Sequence, residues 1–92
     1  MRRFLQITYN IQGSDFDTKE KIRALGDWMN YFQGSWLILT RLTAQEAYNR
    51  IATNRAGDLF LVTEIQLNTF WGVMPKEAWD WLRQKTSEQG QP

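Results

Sequence analysis

Ninety-two residues with eleven basic and ten acidic side chains, a net charge of +1, make one small domain without the strong basic excess of a non-specific nucleic-acid binder. The chain has no cysteine and no histidine, which excludes disulfides, thiolate nucleophiles, His-based triads and the common zinc sites. Five Trp, five Phe and three Tyr supply enough aromatic surface for a core, or for a core and an interface.

The first element is an apolar strand over residues 3–11, with Leu5, Ile7, Tyr9 and Ile11 on one face and Phe4, Gln6, Thr8 and Asn10 on the other. It ends in Tyr9-Asn10, directly before the turn Gln12-Gly13-Ser14. Asp17-Thr18-Lys19-Glu20 then predicts a helix start with a capping box. Ile22, Leu25 and Phe16 are candidates for its buried stripe, and Gly26 is placed to end it in the left-handed conformation.

Residues 28–41 are rich in aromatic and β-branched side chains around Gln33-Gly34-Ser35. They read either as a hairpin or as one long strand bent at Gly34. Thr43-Ala44-Gln45-Glu46 is the clearest capping box in the chain. It opens a helix that presents Ala44, Ala47, Tyr48 and Ile51 on one stripe and stops near Asn54. Residues 59–67 form the next strand, apolar on both faces and therefore expected to be covered on both along its first half. Pro75 marks the start of a short amphipathic helix in which Trp79 and Trp81 flank Ala78 and Leu82, so at most one of the two tryptophans points fully inward.

This order predicts an α+β domain over residues 1–85, a ferredoxin-like βαββαβ antiparallel sheet with two helices on one face and an extra C-terminal helix. Residues 86–92 are expected to form a polar, disordered tail. The second sheet face would be open, or covered by the terminal helix or by a second copy. No stretch reads as a signal peptide or membrane span, so a cytoplasmic protein without a membrane partner is expected.

Three groups of side chains are candidates for function. Asn10, beside Gln6, Thr8 and Tyr9, could hydrogen-bond a base or phosphate, or could serve only as a turn residue. Arg41, Arg50 and Arg55 lie in a stretch, residues 34–56, whose only acid is Glu46; with Arg2 and Arg3 they could form a phosphate-binding surface. Trp28, Tyr31, Phe32 and Trp36 could stack on bases, although burial is the commoner fate of such residues. Trp36, Phe60, Val62 and Trp79 are the expected dimer contacts. Asp15, Asp17 and Asp58 match no calcium-loop or paired-carboxylate spacing, so no metal or other cofactor is implied.

Tyr9-Asn10, Gly26-Asp27-Trp28, Gly34-Ser35-Trp36-Leu37 and Trp71-Gly72 ahead of residues 75–82 together resemble the small bacterial and phage proteins called SinR-like. These are similar in fold to the small adaptation subunit of CRISPR systems and to the VapD toxins. The resemblance implies a ferredoxin-like homodimer paired through its sheet, and some relatives are metal-dependent ribonucleases with Tyr-Asp at the end of the first strand. Here the pair is Tyr9-Asn10, and an amide is a weaker Mg²⁺ ligand than a carboxylate and cannot act as a general base. The favoured expectation is therefore a non-catalytic homodimer that binds nucleic acid or a phosphorylated nucleotide. A phage-encoded protein of this kind could antagonise host defence. The alternatives are a metal-dependent ribonuclease or deoxyribonuclease of the VapD-like class, and a protein–protein adaptor without a nucleotide ligand.

Overall fold

Seven elements follow one another in a computed structural model that describes residues 1–11, 13–52 and 58–89. They are β1 (Arg3–Asn10), α1 (Phe16–Arg23), β2 (Asp27–Phe32), β3 (Ser35–Thr40), α2 (Ala44–Ile51), β4 (Leu59–Ile65) and α3 (Lys76–Gln89). The four strands make one antiparallel sheet in the order β2-β3-β1-β4. An α+β domain with a four-stranded antiparallel sheet and three helices is thus the architecture.

Strand register explains the core. Leu5 lies opposite Ile38 and Ile7 opposite Trp36 and Val62, so these side chains share one face of the sheet. Ile22 and Leu25, in and just after α1, and Ala47 and Ile51 of α2 close over them. Leu5, Ile7, Ile22, Trp36, Ile38, Ala47 and Ile51 are all fully buried. Burial of a large aliphatic or aromatic side chain stabilises by about 1.5–3 kcal/mol, so this layer dominates the fold.

The ambiguous stretch after Gly26 is a hairpin. Gly34 has a φ of 77°, a left-handed conformation at low cost only for glycine, and a Cβ there would press on the Tyr9 carbonyl. Tyr9 N–H donates to the Gly34 carbonyl at 2.9 Å, which ties the turn to the end of β1. The Asn30 amide donates to the Phe32 and Ser35 carbonyls at 2.7 and 2.9 Å beside a register shift between Asn30 and Phe32. At the start of α2 the capping box forms as expected: Glu46 N–H donates to Thr43 Oγ1 at 3.1 Å and Thr43 N–H to Glu46 Oε1 at 3.0 Å. These bonds hold the exposed Glu46 carboxyl below its usual range.

Several expectations need correction. α1 begins at Phe16 after Asp15, not at Asp17: the Asp15 carbonyl accepts from Lys19 N–H at 2.9 Å, while its carboxylate turns to Tyr9 and Lys19 and caps no helix N–H. Phe16 is exposed rather than part of the buried stripe, and so is Tyr48. Gly26 is not left-handed. Its need for glycine comes from close approach, since a Cβ would collide with the Leu39 carbonyl. β4 is not covered on both sides along its first half, for Leu59 and Leu61 are each 64% exposed. α3 continues through Gln89 where a polar tail is expected from residue 86; Thr86 Oγ1 donates to the Leu82 carbonyl at 2.7 Å, and residues 90–92 lie outside the described part.

α3 explains the second face. Phe4, Leu37 and Leu39 point away from α1 and α2, and Ala78 and Leu82 of α3 are buried with them. Trp81 meets Phe4 edge-on with ring centroids 6.2 Å apart, while Trp79 stacks on Phe70 at 6.2 Å. Neither tryptophan is fully inward. The far end of α3 is held by charge: Lys85 contacts Asp27 at 3.1 Å and Glu88 at 3.3 Å, and Arg2 contacts the same two carboxylates at 3.3 and 3.4 Å.

Candidate functional site

Of the expected ligand residues, Tyr9 and Asn10 line one cleft and Arg41 and Arg50 another, at opposite ends of the sheet. Arg3 pairs with Thr40, so Arg41 follows at the end where β1 begins, whereas Asn10 sits at the other end. At the usual strand rise the length of β1 puts about 23 Å between them.

The cleft at the end of β1 has a volume of about 330 Å³ and is lined by Tyr9, Asn10, Gly13, Asp15 and Gly34 among others. Tyr9 lies on the helix-covered face; Gln6, Thr8 and Asn10 point to the opposite one, so these four do not converge. Tyr9 Oη donates to Asp15 Oδ2 at 2.8 Å and accepts from Trp36 Nε1 at 3.4 Å. Burial raises the Tyr9 pKa and the Asp15 carboxylate adds to the rise, so its hydroxyl stays protonated and internally engaged. Gln6 Nε2 donates to Tyr31 Oη at 2.8 Å and is likewise occupied. Thr8 and Asn10 are exposed.

The second cleft, about 320 Å³, is lined by Arg2, Arg41 and Arg50 together with Leu25, Gly26, Asp27 and Leu42. Its shape comes from two local devices. Thr40 Oγ1 donates to the Leu25 carbonyl at 2.7 Å and accepts from Leu42 N–H at 3.2 Å, bending the chain so that Arg41 projects outward. Gly26 lets β2 start hard against Leu39. Asp27, the acid of this cleft, is already shared by Arg2 and Lys85. Arg41 and Arg50 form no salt bridge or hydrogen bond among the described residues, and Arg50 only lies within the field of Glu46 on its own helix. Two guanidinium groups are therefore available for an anion. Arg55 lies outside the described residues.

Three of the expected dimer contacts, Trp36, Phe60 and Val62, lie on the helix-covered face of the sheet, and the fourth, Trp79, is half-buried on α3. Trp36 is fully buried beneath Arg23, whose guanidinium lies 5.7 Å from its ring. Phe60 and Val62 pack inward against the helix-side core. Register instead puts Leu59, Leu61 and Thr63 on the outer face with Thr8 and Asn10. Alternation along residues 59–65 already separated these two sets; exposure chose between them. Among the described residues no three His, Cys, Asp or Glu side chains converge as a metal site, and no helix is long and apolar enough to cross a membrane. Compared with known proteins, the chain has no significant match to a family model, a curated protein or a solved structure.

Proposed function

We propose that this protein is a non-catalytic, ferredoxin-like homodimeric module that binds a phosphorylated ligand, a nucleic acid or a nucleotide. The observation that carries the reading is the cleft in which Arg41 and Arg50 form no salt bridge among the described residues while its carboxylate, Asp27, is neutralised by Arg2 and Lys85. A planar guanidinium donates two parallel hydrogen bonds to phosphate, and a pair of them on one rim fits a phosphodiester or a nucleotide phosphate chain. Sheet order read from the other edge, β4-β1-β3-β2, with α1 and α2 on one face, supports the ferredoxin-like description. Exposed Leu59 and Leu61 on edge strand β4 support self-association along that edge. The SinR-like resemblance is consistent with both.

Fluorescence polarisation with a labelled single-stranded oligonucleotide and a labelled nucleoside triphosphate tests this reading. The Arg41→Glu/Arg50→Glu double variant loses at least about tenfold in affinity, and the log–log salt slope for the oligonucleotide falls by about 1.5. Unchanged affinity in that variant would rule out the cleft. Mg²⁺-dependent cleavage of RNA or DNA that is abolished by Asn10→Ala would rule out a binding-only protein.

A further inference from the structure

We propose that the groove between the free edge of β2 and the first turns of α3 receives an extended peptide segment of a protein partner, which joins the sheet as a fifth strand. This site is separate from the phosphate cleft; the two share no lining residue.

The groove has a volume of about 300 Å³. One wall consists of four successive residues of β2, from Trp28 to Tyr31, and the other of Pro75, Ala78 and Trp81, with Met74 between. Successive strand residues point to opposite faces. Trp28 and Asn30 pair with Ile38 and Trp36 on the face covered by α1 and α2, whereas Met29 pairs with Leu37 on the α3 face. A groove that touches four successive residues follows the main chain of the strand, and the main chain of β2 is the outer edge of the sheet.

That edge is unpaired among the described residues, where β2 is outermost in the sheet and bonds only to β3. In an antiparallel pair every second residue turns its N–H and C=O away from the partner strand, leaving a template for another strand. Natural edges are commonly blunted with lysine, proline or a bulge. β2 carries no lysine or proline, and its register shift falls only at the turn end, between Asn30 and Phe32. The stretch from Asp27 to Asn30 is left as a regular edge.

Side-chain chemistry defines the occupant. Met29, Met74 and Trp81 offer an adaptable apolar slot for alternate residues of an incoming strand. Glu77 lies on the same groove and forms no ion pair among the described residues, unlike Asp80 one turn on, which is held by Lys76 and Arg83. The fitting partner is thus a segment with apolar residues at every second position and a lysine or arginine at the end that meets Glu77.

The test titrates the full ¹⁵N-labelled chain with a heptapeptide of alternating valine and threonine preceded by lysine. Amide shifts are expected from Trp28 to Tyr31 and from Glu77 to Trp81. N-methylation of alternate peptide nitrogens, made in both phases, weakens binding at least about tenfold in the phase that faces β2 and little in the other, because it deletes main-chain hydrogen bonds. Glu77→Lys weakens the lysine peptide about threefold and favours a glutamate-ended peptide instead. Equal binding of both N-methylated peptides, shifts confined to Leu59–Thr63 or to Arg41 and Arg50, or no shift at millimolar peptide overturns the proposal.

Discussion

On the face beneath α1 and α2, seven side chains from the sheet and helices are fully buried, and closure is achieved by apolar packing. Beneath α3 the same strands are covered only in part: Phe4, Leu37 and Leu39 are buried, Leu59 and Leu61 are exposed, and ion pairs to Asp27 and Glu88 hold the far end of the helix. The first face specifies the fold. The second combines a lighter attachment with unfilled surface, and binding proteins tend to place function where backbone edges and apolar groups are left over. The β2 groove borders α3, and the outer side of β4 lies on the sheet face turned away from α1 and α2.

Deleting the largest buried ring gives the strongest test of this contrast. Trp36→Ala is expected to cost about 3–5 kcal/mol in urea unfolding, because it opens a cavity in the sealed layer. Leu82→Ala, on the second face, should cost about 2–3 kcal/mol. Hydrogen exchange should then show α3 losing protection while β1 and β3 keep theirs; a uniform loss would mean that both faces unfold as one unit. Asp27→Asn removes the carboxylate shared by Arg2 and Lys85. All three side chains are partly solvated, so the expected loss is no more than about 1 kcal/mol and shrinks further in high salt.

Acid should act on the same attachment. The Lys85 ammonium, followed by Arg2, lowers the Glu88 pKa, so the Glu88 contribution is present at neutral pH and is lost as pH falls below about 4.3 and through its folded value. For Lys85, burial alone would lower the pKa, but Asp27 and Glu88 more than offset it and the net shift is upward. Its contribution is therefore present below about 10.4 and lost as pH rises through the folded value. Docking of α3, followed by the Trp81 indole N–H signal in NMR spectra, should hold between these limits and loosen outside them. The smallest effect on stability belongs to Leu61→Lys, within about 0.5 kcal/mol at an exposed site. In sedimentation it should nonetheless abolish any dimer formed along β4, and a dimer that survives it uses another surface.

Much of the candidate site was legible residue by residue and illegible as an arrangement. Arg41, Arg50 and Arg2 could be picked out as cations lacking nearby acids, and structure brings them to one cleft. Tyr9 and Asn10 could be picked out at a strand end, but sequence cannot show that Asp15 and Trp36 occupy the Tyr9 hydroxyl. Asp15 was within reach as the first acid after the Gly13 turn; the signal was hidden because Asp17-Thr18-Lys19-Glu20 offers a better-looking cap. The β2 groove left no trace in the sequence, since its walls lie more than forty residues apart along the chain.

What the sequence determines by itself is local: strand alternation in β1, the Thr43 capping box, and the mixture of charged and apolar residues in the last helix. Each depends on neighbours within a few positions, through backbone stereochemistry or short-range hydrogen bonds. Tertiary structure alone decided that α3 covers Phe4 and Leu39 but stops short of Leu59 and Leu61. That choice depends on how far a ten-residue connection, residues 66–75, carries the helix across the sheet, and on long-range ion pairs from Arg2 and Asp27 that no local pattern encodes.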